Sequence, residues 1–242
     1  MAGGGGSSRF DPIDTVQMTE EEMCAAAGAA KDWNTYVAAH VFNDRSAQRL
    51  LSCGNIRSFE HGFFFNDTTL ASIAAAGGFV VPQMWGLSPE LAKNPLMPPS
   101  KVPRPKFCVS RARRYEIYWR TQAFGSNLEV LRQMTSLGGE LLRLSGPRFP
   151  VQVNGEPAKI GVIESGALAD LVLVRGNPLE NMTLIGANSR WFDASPEWKP
   201  VDTIEAVVKG GRLFDFNLQG GPTAATGTKV NLDACVGPAA HS

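Results

Sequence analysis

The stretch that decides the fold runs from Thr35 to Gln83. It reads Thr35-Tyr-Val-Ala-Ala-His40, then Asp44 ahead of Arg45–Cys53 and Gly54, then Ile56-Arg-Ser-Phe-Glu-His61. Asp67 follows ahead of Thr68–Ala76, then Gly77-Gly78 and Phe79-Val-Val-Pro-Gln83. The three runs rich in aromatic and β-branched residues predict strands. The segments between them predict helices, each with an aspartate cap in front and glycine behind. The result is β-α-β-α-β with a repeat of roughly twenty residues, which implies parallel strands, right-handed crossovers and helices on the outer face. A TIM-type barrel and a doubly wound sheet both satisfy this stretch.

Upstream, residues 1–18 are Gly/Ser-rich and then turn-like at Asp11-Pro12. Thr19 and Glu22 form a capping-box pattern before an Ala-rich helix that runs to Trp33. Downstream, six prolines between Trp85 and Ser110 interrupt the pattern, leaving Phe107–Ser110 as a short strand. Two helices are predicted next, Arg111–Phe124 and Asn127–Leu144. From Gly146 the character is β, with strands expected at Lys159–Ile163, Leu171–Val174, Met182–Ile185, Thr203–Val208 and Arg212–Phe216. The small, polar residues from Gln219 to Ser242 predict an irregular tail.

Composition excludes several classes. The 242 residues are 43% hydrophobic and 19% charged, which suits a globular core rather than disorder. Lys+Arg and Asp+Glu each number 23, so net charge offers no global pull towards nucleic acid or an anionic membrane. A local basic and aromatic cluster exists (Lys101, Arg104, Lys106, Arg111, Arg113, Arg114 and Arg120 among Phe107, Tyr115, Tyr118 and Trp119), but no recognition motif accompanies it. The longest apolar runs, such as Ala71–Val81, are too short to span a bilayer. The Met1-Ala-Gly-Gly-Gly-Gly start lacks the basic and apolar regions of a signal peptide, so a cytoplasmic location is expected. Cys24, Cys53, Cys108 and Cys235 are scattered without a CxxC pair, which predicts reduced thiols rather than a thiolate metal site or a disulfide framework.

His40 and His61 are the most informative residues. Each closes a predicted strand, precedes a loop into a helix, and occupies the equivalent place in consecutive units. In parallel βα folds the C-terminal strand ends form the rim where sites are built, and neutral imidazole is a common ligand for Zn²⁺. The competing reading is that both are satisfied buried polar groups. Glu60 is expected to point to the other side of its strand from His61 and to be structural. His241, in the tail, is expected to be inert.

Beyond this pattern the sequence resembles the amidohydrolase superfamily, in its imidazolonepropionase-like and Xaa-Pro dipeptidase-like branch. The landmarks are Met1-Ala-Gly-Gly-Gly-Gly, Asp11-Pro-Ile-Asp14, Thr19-Glu-Glu-Glu22, Val37-Ala-Ala-His40 and Phe59-Glu-His-Gly62. Further on come Glu129-Val-Leu-Arg-Gln-Met-Thr-Ser136, Glu140-Leu-Leu and the block from Ile160 to Val174, continued by Gly176-Asn-Pro-Leu-Glu180. That block is architectural, and Asp170 within it is expected to order a turn. The resemblance implies an α/β fold: a partial TIM-type (β/α) barrel in residues 1–145, a small all-β domain (a composite β-sandwich) in 146–216, and a tail in 217–242.

The resemblance also implies chemistry. A divalent metal, zinc in the first instance and one or two ions in the intact family, activates water to hydrolyse a C–N bond. By motif match, His40 and His61 are the metal ligands of the fifth and sixth barrel strands. The implied partner is a small amide, cyclic amide or dipeptide, with no nucleic acid or membrane, and with a homo-oligomer compatible. Three departures stand against this: there is no His-x-His in the chain, no lysine position ahead of the Gly-rich start, and no acid between Val102 and Tyr115 where an eighth-strand aspartate belongs. The sequence therefore reads as a C-terminal half with an internal deletion at the Pro-rich join. No catalytic residue is assigned, and a catalytically inactive remnant serving as scaffold or subunit is the alternative.

Overall fold

The computed structural model describes residues 1–5, 12–84, 109–189, 201–217 and 221–224. The chain divides into two compact units. One is Met1–Arg104 with Leu137–Lys159, and the other is Pro105–Ser136 with Ile160–Ser242.

The first unit is built on three parallel strands, β1 (Val37–Asn43), β2 (Ile56–Phe64) and β3 (Phe79–Val81), in that spatial order. Between them lie α2 (Asp44–Cys53) and α3 (Asp67–Ala75), and α1 (Glu20–Asp32) precedes β1. The repeating β-α unit is therefore as the sequence predicts, and the chain is α/β. Among the described residues the parallel sheet does not close into a barrel.

Local chemistry explains each helix start. The Thr19 hydroxyl accepts from the Glu22 N–H and the Glu22 carboxylate from the Thr19 N–H, the capping box read from the sequence. For α2 and α3 the caps lie one residue earlier than predicted. Asn43 and Asn66, not Asp44 and Asp67, accept from the N–H three residues on. The aspartates occupy the first helical turn, where a negative charge meets the helix dipole, and Asp44 also accepts from the Asn66 backbone and side chain.

The core of this unit lies between the sheet and the helices. Val37, Ala39 and Val41 of β1, Phe59 of β2 and Val80 of β3 pack on Met23 and Ala27 of α1, Ala47 and Leu50 of α2 and Ile73 of α3. Within that layer Cys24 and Cys53 form a disulfide, with Cα atoms 4.7 Å apart. This corrects the expectation of reduced thiols. The two cysteines are 29 residues apart in sequence, and only the packing of α1 beside α2 brings them into bonding range. Also in this unit, β4 (Gln152–Val153) and β5 (Glu156–Pro157) make a small antiparallel hairpin.

The second unit holds α4 (Val109–Phe124), α5 (Asn127–Met134) and a four-stranded antiparallel sheet, β6 (Leu171–Val174), β7 (Ile204–Lys209), β8 (Arg212–Asn217) and β9 (Gly221–Ala224). Ile117 and Val130 of the two helices pack with Met182 and Ala187. Asp170 accepts from the Gly210 N–H at 2.6 Å and so orders the β7–β8 turn, as expected.

Several element boundaries differ from the sequence reading. Val109 and Ser110 begin α4 rather than end a strand, while Phe107 and Cys108 lie outside the described residues. The predicted helix Asn127–Leu144 is two helices, α5 and α6 (Ser136–Arg143), broken at Thr135, whose φ of −124° and ψ of −91° leave the helical region. Lys159–Ile163 is not a strand. Gly161 there turns at φ +74°, with the Thr135 carbonyl oxygen 2.2 Å from where a Cβ would stand. Met182–Ile185 is a 3₁₀ turn because the Asn181 side chain caps the Thr183 N–H and Gly186 closes the turn in the left-handed region. Of the tail predicted at 217–242, residues 221–224 form β9, and 218–220 and 225–242 lie outside the described residues.

Candidate functional site

Alternation along β1 assigns its two faces. Odd residues Val37, Ala39 and Val41 meet the helices, so Tyr36, Ala38, His40 and Phe42 line the opposite face. In the parallel pairing Ala38 sits beside Ser58 and His40 beside Glu60, which puts Ser58 and Glu60 on that same face. Phe59, paired with Ala39, faces the helices.

His61 should follow Phe59 to the helix side, since it is registered with Val41. It does not. Its φ is +76°, and that of Gly62 is +62°, so the chain twists through the left-handed region at the point where β2 loses its regular pairing with β1. A histidine at positive φ is uncommon and costs about 1–2 kcal/mol, a strain that persists only where surrounding packing fixes it. Gly62 is required beside it, because a Cβ there would lie 2.8 Å from the Phe65 ring and 3.0 Å from Val80.

The twist delivers His61 to the other histidine. The His40 and His61 ring centroids are 4.6 Å apart, with planes at 72°. Phe42 stacks flat on His61 at 5.1 Å and meets His40 edge-on at 4.9 Å, while Phe63 lies 5.7 Å from His61. Neither histidine closes its strand: Val41–Asn43 continue β1 and Gly62–Phe64 continue β2. Their expected position at the strand ends is corrected accordingly, by three residues in each case. Local pairing of Asn43 with Phe64 carries the sheet past them.

His40 is fixed from behind by the first residues of the chain. Ala2 donates to the His40 carbonyl and Phe42 to the Gly3 carbonyl, so residues 2–4 lie along β1 like a further strand. The His40 Nε2–H donates to the Gly4 carbonyl oxygen at 2.6 Å, which in the neutral ring leaves the Nδ1 lone pair as the acceptor or ligand. A backbone carbonyl that holds the second nitrogen of a histidine is the usual support for a metal-ligating ring.

The residues present fit part of a metal centre. Two imidazoles at this separation can share one ion at Zn–N distances of about 2.0–2.1 Å. Among the described residues, however, no group of three or more His, Cys, Asp or Glu side chains is placed to hold an ion, and a catalytic zinc takes three protein ligands plus water. His241 lies outside the described residues.

Tyr36, Phe42, Ser58 and Glu60 share the face of the two histidines, and of these the sequence reading singles out Glu60 alone. Glu60, expected on the opposite side of the strand from His61, lies on the His40 face by its register, and the left-handed turn at His61 brings that ring onto the same face. Ser58 is buried and its Oγ–H donates to Glu60 Oε1. Burial, and then the Glu60 charge, raise the Tyr36 phenol above its ordinary value. Residues 101–108 of the basic cluster lie outside the described residues. Of the others, Arg120 pairs with Glu116 at 2.7 Å and also donates to Gln133.

No family model matches the chain, and no curated protein matches it. Solved structures do. A prolidase complexed with N-methylphosphonate-L-proline aligns at 26% identity and a TM-score of 0.66, over 88% of this chain and 53% of its own. A protein described as an amidohydrolase aligns at 24% identity and a TM-score of 0.67, over 90% and 54%. The fold is that of the amidohydrolase superfamily. The ochratoxinase of A. niger shares this amidohydrolase fold at 19% identity and a TM-score of 0.70, over 94% of this chain and 52% of that one. The chain thus spans about half the length of the amidohydrolase structures it matches. No described helix is long and apolar enough to cross a membrane.

Proposed function

We infer that this chain supplies the two-histidine side of an amidohydrolase metal centre, and that the whole protein hydrolyses a C–N bond in a small amide, cyclic amide or dipeptide. The observation that supports it is the convergence of His40 and His61 on one sheet face through the left-handed turn at His61. Strain at a histidine serves a site more readily than a core, because buried packing alone is satisfied at lower cost elsewhere. In this reading β1–β3 are part of a (β/α) barrel, and β6–β9 part of a β-sandwich.

His40, through Nδ1, and His61 would hold a divalent ion, zinc in the first instance. Such an ion supplies Lewis-acid activation of water. Gly4 fixes the His40 tautomer, Phe42 packs on both imidazoles and Phe63 lies beside His61. Among the described residues no third donor joins the two histidines.

The test is metal analysis of the purified protein with dipeptide and cyclic-amide hydrolysis assays. Stoichiometric zinc that His40→Ala and His61→Ala each abolish, together with turnover, is the expected result. The second reading, an inactive member serving as scaffold or subunit, rests on the two-donor set. Soluble, folded protein that takes up no zinc and turns over neither substrate class would establish it instead.

A further inference from the structure

A short series of contacts links the disulfide in the helix layer to the histidine face. The segment from Thr15 to Cys24 is fastened along α2 from its cap to its last residue. The Asn43 amide donates to the Thr15 carbonyl, Arg49 to the Met18 carbonyl at 3.0 Å, and the Ser52 hydroxyl to the Glu20 carboxylate at 2.8 Å. Cys24–Cys53 ends this series with a covalent bond. The same segment backs the residues that hold His40. Gln17 donates to the Ala2 carbonyl, Ala2 donates to the His40 carbonyl, and Gly3 bridges both Val16 and Val41. Gly3 is wedged at the junction, where a Cβ would stand 1.9 Å from the Ser46 Oγ of α2 and 3.0 Å from the Thr15 carbonyl oxygen. Residues 2–4 thus take their position from α2 and from the 15–18 segment at once. A slip between those two moves the Gly4 carbonyl to which His40 Nε2 is bonded.

We propose that the Cys24–Cys53 bridge is a redox switch on the histidine site, which binds metal tightly with the bridge closed and weakly with it open. The inference rests on the metal reading for its ligand and adds the regulation of that site. A dithiol reductant opens the bridge by exchange. Its first thiolate forms a mixed disulfide with one cysteine, and the other cysteine leaves and takes up a proton. The reductant's second thiolate then closes on the mixed disulfide, releases the remaining cysteine as a thiol and leaves the reductant oxidised. Two electrons and two protons pass to the protein. With the bridge open, only side-chain hydrogen bonds and packing hold α1 to α2, and residues 2–4 lose their fixed backing. The Gly4 carbonyl then no longer selects one His40 tautomer, and support of that kind changes metal affinity by about 10–100-fold.

Amide hydrogen exchange and zinc titration of the full chain test this. Exchange is compared in oxidised wild type, in wild type reduced with dithiothreitol, and in the Cys24→Ser, Cys53→Ser double variant. The Ala2, Gln17 and Phe42 amides should exchange about tenfold faster without the bridge, while the amides that pair β2 with β3 keep their rates. Zinc affinity is compared between oxidised wild type and the serine variant, which brings no new thiols to the metal, and should fall about tenfold. Arg49→Ala loosens the same series with the bridge intact, and should shift both readouts in the same direction if the serine variant does not fold. Unchanged exchange at the three amides, equal acceleration in β2 and β3, or unfolding on reduction overturns the proposal. So does a bridge that dithiothreitol leaves intact in the folded protein, or an equal, measurable zinc affinity in the two forms. If neither form takes up zinc and the three amides still respond, the metal reading is lost and the coupling of the bridge to the His40 backing is kept. Zinc bound equally by both forms, with exchange unchanged, does the reverse.

Discussion

The His40 Nε2–H donates to the Gly4 carbonyl oxygen at 2.6 Å across 36 residues of chain. The contact ties residues 2–4 to the candidate site and chooses which imidazole nitrogen stays available. It depends on a backbone that only glycine accommodates. Gly4 has φ +70°, and a Cβ there would stand 2.3 Å from the Ile13 carbonyl oxygen.

Gly4→Ala should therefore displace the carbonyl and destabilise the first unit by about 1–3 kcal/mol. Zinc affinity should fall with it, although no ligand is removed. Urea unfolding and a zinc titration check both. Unchanged stability would show that residues 2–4 do not hold the position along β1.

The left-handed turn at His61 makes a second prediction. His61→Ala and His61→Gly remove the same ring and its stacking on Phe42, but alanine retains the penalty at φ +76°. The glycine variant should be the more stable of the two by about 1 kcal/mol, the reverse of the order in regular strand. Matched denaturant curves decide it.

The disulfide gives a third. Cys24–Cys53 closes a loop with a sequence separation of 29 that contains α1 from Cys24 onward and all of β1 and α2. Chain entropy alone assigns such a crosslink about 3–4 kcal/mol. Reduction with dithiothreitol should lower the stability of wild type by that order and leave a Cys24→Ser, Cys53→Ser double variant unchanged. Equal sensitivity of the two proteins to reductant would disprove it.

A fourth concerns alkaline pH. Burial and the Glu60 charge hold the Tyr36 phenol above its ordinary value of 10.0. The folded state thus favours neutral Tyr36. Its contribution is fully present below the unfolded value and is lost as pH rises through the higher folded value. Stability should decline above about pH 10, and Tyr36→Phe should flatten that decline. Thermal unfolding across that range measures it. Identical alkaline slopes in both proteins would remove Tyr36 as the cause.

Much of the first unit was legible because its signals are local. The capping box at Thr19 and Glu22, the alternating apolar residues of Val37–Val41 and the Gly77-Gly78 stop each act over a few residues. The second unit was less legible, since short apolar runs do not distinguish a strand from a 3₁₀ turn. At Met182–Ile185 the side chain of Asn181 settled that choice.

The sequence by itself determined the β-α-β-α-β order, the placement of His40 and His61 in equivalent repeats, and the pattern that resembles the amidohydrolases. Only the tertiary structure decided how the two histidines meet. Strict alternation would have sent His61 to the helix side, and one residue at φ +76° reverses it. Glu60 shares the His40 face through the β1–β2 register, and the turn brings the His61 ring there as well. The pairing of Cys24 with Cys53 was likewise decided by packing, as helix α1 against helix α2. Both outcomes depend on contacts between residues distant in sequence, which local propensity does not encode.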